Sequence, residues 1–413
     1  MVQNNLMDKQ SEMDLNTFTN GGNIFDKYVG RESLFEDKKV LSSNFIPDNI
    51  VHRHEQIDDL TSILAPALQD HQPNNIFVYG KTGTGKTVSI QYILEQLKER
   101  TDDNVMTIYI NCKMKKVADT EYRLFAQLLR EFNEYVPDTG LPTDSLYKKF
   151  FRRVDAKQKV IILALDEIDA LVKKVGDDFL YNLTRINSEL EKSSLALIGI
   201  SNDLSFCNNL DARVKSSLGE EEILFRPYNA VQLKDILERR VEAAFEDGVV
   251  TEGVINKCAA IAAQEHGDAR KALDLLKVAS ELAERKGEKK VTEKFVDKAE
   301  GKINLDRVLE AIKAQPLQSQ LVLRAIIDGT SGNEPKISTG EVFEKYKKLC
   351  KDLGHKELTQ RRVSDLISEL EMMGIISSKI VSHGRYGRSR SISLALSDSV
   401  KEKAISLLEE RFE

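Results

Sequence analysis

The chain has 413 residues, 41% hydrophobic and 31% charged, with only 22 Gly and 8 Pro, which suits about two to four folded domains and excludes a mostly disordered chain. No run approaches the roughly 18 apolar residues of a membrane helix, and MVQNNLMDKQSEMDLN lacks a signal-peptide profile, so a soluble cytoplasmic protein without a membrane partner is expected. The net charge of −6 is uneven: from Leu305 onward 18 Lys and Arg face 16 Asp and Glu, and no acid separates Glu371 from Asp398.

Residues 1–22 are polar and aperiodic and read as a tail. From Asn75, continuous apolar runs alternate with helical stretches: Ile76 to Gly80, Val105 to Asn111, Val160 to Leu165 and Leu195 to Ile200. Runs of that kind indicate a parallel sheet covered on both faces. Apolar residues at Val88, Ile90, Ile93, Leu94 and Leu97 place a helix after the first run. After Pro227 the pattern is helical, and it stays so until Gly374, apart from the turns between helices. Short strands through Ile392, Leu394 and Leu396 follow, then a helix from Val400. Boundaries are expected at 1–22 (tail), 23–226 (alternating strands and helices), 227–303 (helices) and 304–413 (C-terminal domain). The four cysteines, Cys112, Cys207, Cys258 and Cys350, are far apart without a CxxC pair, so reduced thiols are expected.

Gly80-Lys81-Thr82-Gly83-Thr84-Gly85-Lys86-Thr87 matches GxxxxGK[ST] between a strand and a helix. Glycines let backbone amides close around a β-phosphate at a helix N-terminus; Lys86 adds charge and Thr87 a hydroxyl for Mg²⁺. Asp166-Glu167 ends the third run, where parallel sheets bind ligands. There Asp166 would hold Mg²⁺ and Glu167 would polarise an attacking water, although Asp-Glu also suits a solvated helix start. Asn202 follows the fourth run and either bonds a γ-phosphate oxygen or caps the next turn. Arg270 lies in the first turn of a helix capped by Asp268, where a cation opposes the helix dipole and an anionic partner would compensate it. Together these residues describe an ATPase core binding ATP or ADP.

Near the end, Leu358 to Met373 is amphipathic, with Thr359 as N-cap and Val363, Leu366, Ile367, Leu370 and Met373 on one face. Gln360, Arg361 and Arg362 open it, where a recognition helix meets DNA; a solvated face is the alternative. The tip His383 to Arg388 between two strands makes a hairpin wing, whose Arg385 and Arg388 would reach a minor groove. Winged helices also bind proteins.

The order of GKTGTGKT, LALDEID, GISND, LDARVKSSLGEEEILFRPY, GDARKALDLL and a winged helix resembles the archaeal origin-recognition and replication-initiator AAA+ ATPases, from about Ile24 to Glu413. The resemblance implies an α/β fold: a five-stranded parallel AAA+ sheet, a helical lid and a C-terminal winged-helix domain. It implies that Pro47 to Arg53, with Val51 and Arg53, lines an adenine pocket, and that Tyr228 and Arg240 close over the nucleotide. Asn202 would be sensor 1, Arg270 sensor 2 and Arg213 an arginine finger for a neighbouring subunit. The stretch Val136 to Leu146 matches an initiator-specific element that touches DNA in the family, although Asp138 and Asp144 suit phosphate contact poorly. The implied activity is weak ATP hydrolysis acting as a switch. The implied partners are double-stranded origin DNA, the replicative minichromosome maintenance helicase and paralogous initiator subunits, in a nucleoid-associated setting. The rival readings are a P-loop transcription regulator and a clamp-loader-like subunit.

Overall fold

A computed structural model describes residues 33–412, apart from 102, 114–119, 138–139, 157, 219, 331–335, 383–387 and 397. Two compact units divide the chain after Val296.

In the first unit, α1 (His54–Leu64) precedes β1 (Ile76–Gly80), α2 (Lys86–Arg100) and β2 (Val105–Asn111). Next come α3 (Glu121–Glu131), α4 (Thr143–Val154), β3 (Val160–Asp166), α5 (Ile168–Val175) and α6 (Asp178–Arg185). The domain closes with β4 (Ser194–Ser201), α7 (Ala212–Leu218) and β5 (Glu221–Phe225). All strand pairs are parallel, in the order β2-β3-β4-β1-β5. The alternation of a strand sorts its residues onto two faces. Ile161, Leu163 and Leu165 of β3 join Phe77 and Leu197 in one core, while Val160, Ile162 and Ala164 join Ile76, Val78 and Ile198 in the other. The fifth strand is absent from the apolar runs because an edge strand buries only alternate residues. In Glu221–Phe225, Ile223 and Phe225 face inward while Glu222 and Leu224 are exposed.

The lid helices follow: α8 (Ala230–Ala244), α9 (Glu252–Gln264) and α10 (Ala269–Arg285). Asn229 and Gln232 form a reciprocal capping box on α8, and the Asp268 carboxylate accepts from the amides of Arg270 and Lys271 at the start of α10. The long α11 (Glu293–Lys313) runs past both the expected boundary near 303 and the observed one, so no break in helical pattern marks either.

The second unit contains α12 (Leu317–Gly329), β6 (Ile337–Ser338), α13 (Thr339–Asp352), α14 (Gln360–Met372), β7 (Ile376–Ser382), β8 (Arg388–Leu394) and α15 (Asp398–Phe412). Its core gathers Leu321, Ile326, Tyr346, Ile392 and Leu408 with Val363, Leu366, Ile367 and Leu370 of α14. Met373, expected on that apolar face, is the C-cap of α14 and stands exposed. The hairpin is antiparallel, Ile376 opposite Leu394 through Ser382 opposite Arg388. Two details differ from the sequence expectation. Ile337–Ser338 adds a third strand against Ile392 and Ser391, too short for a periodic signal, and Leu396 lies beyond the end of β8. The wing tip, with Arg385, lies outside the described residues.

Candidate nucleotide site and nucleic-acid interface

The sheet delivers its polar residues to one edge. β1 runs into the glycine-rich loop, β3 ends at Asp166 and β4 at Ser201, just before Asn202. Gly83 and Gly85 take φ of +73° and +90°, the left-handed region that glycine enters freely. A Cβ on Gly83 would lie 1.7 Å from Asp268 Oδ1, and one on Gly85 2.6 Å from the Tyr228 hydroxyl, so lid residues press directly on the loop. The Ala269 amide completes the contact by donating to the Gly83 carbonyl at 3.1 Å.

The Lys86 ammonium is 4% exposed and donates to the carbonyls of Gly80 and Lys81 and to Asn202 Oδ1, each at 2.8 Å. Burial pushes its pKa down to about 8, with Arg270 adding to the fall and Asp166 opposing it. A cation held this way, beside a second cation, suits an anionic ligand that would restore its ordinary basicity.

Asp166 is 3% exposed and has no basic side chain bonded to it among the described residues. Its Oδ2 accepts from the Thr87 hydroxyl at 2.7 Å and the Tyr109 hydroxyl at 2.6 Å, and its Oδ1 from the Glu167 amide at 2.8 Å. Burial, then the Asp166 charge, pushes the Tyr109 phenol well above its ordinary pKa, so it stays a proton donor. Glu167 sits at φ +52° at the N-cap of α5, and its carboxylate pairs with Lys113 Nζ at 3.0 Å. Tyr109 and Lys113 escaped the sequence reading. A hydroxyl near the end of an apolar strand was the available signal for Tyr109; Lys113 had none.

Apart from Lys113, the charged and hydroxyl side chains just described line a cleft of about 810 Å³. Gly83, Thr84, Gly85, Lys86 and Thr87 form its floor, Asp166, Glu167 and Asn202 one wall, and Tyr228, Arg240 and Arg270 the lid side. Pro47 to Val51 line it too. Arg240 donates to the carbonyls of Val40 (2.9 Å) and Phe45 (3.2 Å), fixing that segment against the lid. Gly80 and Thr82 shape the loop from outside the cleft wall. Arg53 is not on the wall, contrary to its expected adenine contact, because its guanidinium is buried behind the loop among backbone carbonyls. Arg213 is also absent from the cleft wall: its side chain is 64% exposed, paired with Asp211 at 3.0 Å and set over the Tyr181 ring. Val136 and Leu146 are fully buried, which anchors both ends of the stretch between them.

In the second unit, Gln360, Arg361 and Arg362 stand exposed in the first turn of α14, which Thr359 caps through the Arg362 amide. Arg362 leans along the helix to Glu369 at 3.3 Å, whereas Arg390 reaches back from β8 to Ser368 at 2.7 Å. Arg388 opens β8.

Models of three families match in chain order: an AAA domain over residues 69–205, a Cdc6 AAA+ ATPase-type lid domain over 234–301, and the CDC6 C-terminal winged-helix domain over 310–404. An ORC1-type DNA replication protein of Thermococcus kodakarensis is 52% identical over 378 residues, 90% of each chain. ORC1-type DNA replication protein 1 of Methanosarcina acetivorans is 50% identical over the same share. Among solved structures, the Aeropyrum pernix ORC1 protein in complex with DNA superposes with a TM-score of 0.80 at 44% identity, covering 92% of this chain and 98% of that one. With an AAA+ sheet, a Cdc6-type lid and a winged helix in that order, the chain belongs to the ORC1-type family of DNA replication proteins.

Proposed function

We propose that the protein is an ATP-dependent replication initiator that binds double-stranded origin DNA and helps recruit the replicative helicase. The observation that carries the nucleotide half is the convergence of Lys86, Thr87, Asp166, Glu167, Asn202 and Arg270 on one cleft floored by the glycine-rich loop. The loop amides and Lys86 would hold the β- and γ-phosphates of ATP. Asp166 and Thr87 fit Mg²⁺, since a buried carboxylate beside a hydroxyl, with no basic side chain bonded to it among the described residues, suits a hard cation. When bound, Mg²⁺ would neutralise charge on the phosphate oxygens. Glu167 would orient and polarise water once released from Lys113, while Asn202 and Arg270 steady the γ-phosphate. Arg213, exposed and outside its own cleft, would serve a neighbouring subunit, including a paralogous initiator. Hydrolysis would be slow and act as a switch.

The DNA half rests on the exposed N-terminus of α14, on the arginines of the wing and on the similarity to a DNA-bound ORC1 structure. Nucleotide binding and phosphate release test the first half. Lys86→Ala should abolish binding; Glu167→Gln should retain binding and lose hydrolysis. Wild-type turnover by Glu167→Gln would reject the assignment of Glu167. Mapping the protein to a chromosomal origin, and co-purification with the helicase, test the second.

A further inference from the structure

The buried Arg53 guanidinium bridges the phosphate-binding loop and the start of the lid. Arg53 is 4% exposed, and it precedes α1, whose Ile57 amide bonds the Arg53 carbonyl at 2.8 Å. Its Nε donates to the carbonyl of Thr84, inside the glycine-rich loop, at 2.9 Å. One terminal nitrogen donates at 2.6 Å to the carbonyl of Arg226, where β5 leaves the sheet for the lid; the other bonds the His52 carbonyl at 3.1 Å. The guanidinium carbon (Cζ) lies over the Tyr228 ring, 3.8 Å from its centre. Tyr228 in turn donates its amide to Gly267 at 3.3 Å, just before α10 and Arg270.

We infer that Arg53 is a positioning residue that couples the phosphate-binding loop to the lid, an inference that rests on the nucleotide reading above. A planar fork can bond diverging carbonyls at its edge while stacking an aromatic on its face; the lysine ammonium cannot do both. When the loop closes on an anion, movement of the Thr84 carbonyl is passed through one rigid plane to Arg226 and Tyr228. The lid then follows the loop. No contact between Arg53 and nucleotide is required.

The test uses the full-length protein with fluorescent ADP and a dye pair placed on the ATPase domain and the lid. Arg53→Lys should bind ADP about tenfold more weakly, the equivalent of one hydrogen bond from a charged donor, and lose the ADP-dependent change in dye distance. Leu60→Ala, fully buried on α1 and away from the cleft, serves as a packing control at a matched loss of Tm. Equal losses of affinity and of dye response in that control would reduce Arg53 to a structural residue and overturn the inference. Wild-type affinity and dye response in Arg53→Lys would also overturn it. Should Arg53→Lys fail to fold, Tyr228→Leu removes the stack and leaves the carbonyl bonds; a retained ADP-dependent dye change there rejects the coupling. Failure of the wild-type protein to bind ADP would instead reject the nucleotide reading itself.

Discussion

Lys86, proposed above to hold phosphate, shows how burial makes one side chain sensitive to pH. Burial holds its pKa in the folded chain at about 8, below the ordinary lysine value of 10.5. The unfolded chain therefore holds the proton more tightly, and the stability contribution of this group is complete above pH 10.5 and lost as pH falls through about 8. An anion reverses the balance by favouring the ammonium. ATP binding at pH 8.5 should accordingly take up protons, and affinity should fall as pH rises further. Calorimetry in two buffers of different ionisation enthalpy measures the uptake; buffer-independent heats would contradict it. The thiols respond to burial in the opposite sense, as acids do. Cys112 and Cys258 are pushed up to about 12, which agrees with reduced, unreactive core cysteines.

Whole elements carry their own consequences. The start of α10 serves both as the capped end of a lid helix and as the roof of the glycine-rich loop, with Asp268 against Gly83. Gly83→Ala would force a left-handed alanine and displace that cap, costing about 2 kcal/mol in thermal unfolding, half from backbone strain and half from the cap. The same substitution should loosen nucleotide binding, because the Ala269 to Gly83 bond must move as well.

In α14, Glu369 holds Arg362 along the helix, while Arg361 has no ion-pair partner among the described residues. Removing Glu369 deletes an anion on the face proposed for DNA and leaves Arg362 only its longer pair with Asp365, at 3.9 Å. Glu369→Gln should therefore tighten DNA binding several-fold at low salt and steepen the salt dependence. Arg361→Ala should instead lower the preference for origin over scrambled duplex, by about 1–3 kcal/mol if it meets a base edge. Salt titrations on both duplexes separate these outcomes, and an unchanged Glu369→Gln would disconnect this face from DNA.

At the scale of the molecule, the nucleotide groups all lie before Val296, and the winged-helix core is built from Ile312 to Leu408. Two calorimetric transitions are expected. ATP at one hundred times its Kd should stabilise only the one belonging to the first unit, by about 2.7 kcal/mol. A single transition that shifts as a whole would mean that the units unfold together.

The sequence by itself determined whatever depends on local order and periodicity. Four apolar runs, the glycine-rich loop, Asp166-Glu167 and the amphipathic α14 each announce themselves within a few residues, since strand burial, loop chirality and helix faces are local properties. Elements that lean on neighbours were not legible. Glu221–Phe225 is a strand because β1 lies beside it, and Ile337–Ser338 because β8 does. The same holds within the site. Tyr109 reaches Asp166 across 57 positions, Lys113 reaches Glu167, and Arg53 meets Thr84 and Arg226 across 31 and 173. Only the tertiary structure decided that Arg53 lies behind the loop and not against a base. A guanidinium goes where buried carbonyls need donors, and which carbonyls those are is settled by the packing of segments far apart in the chain.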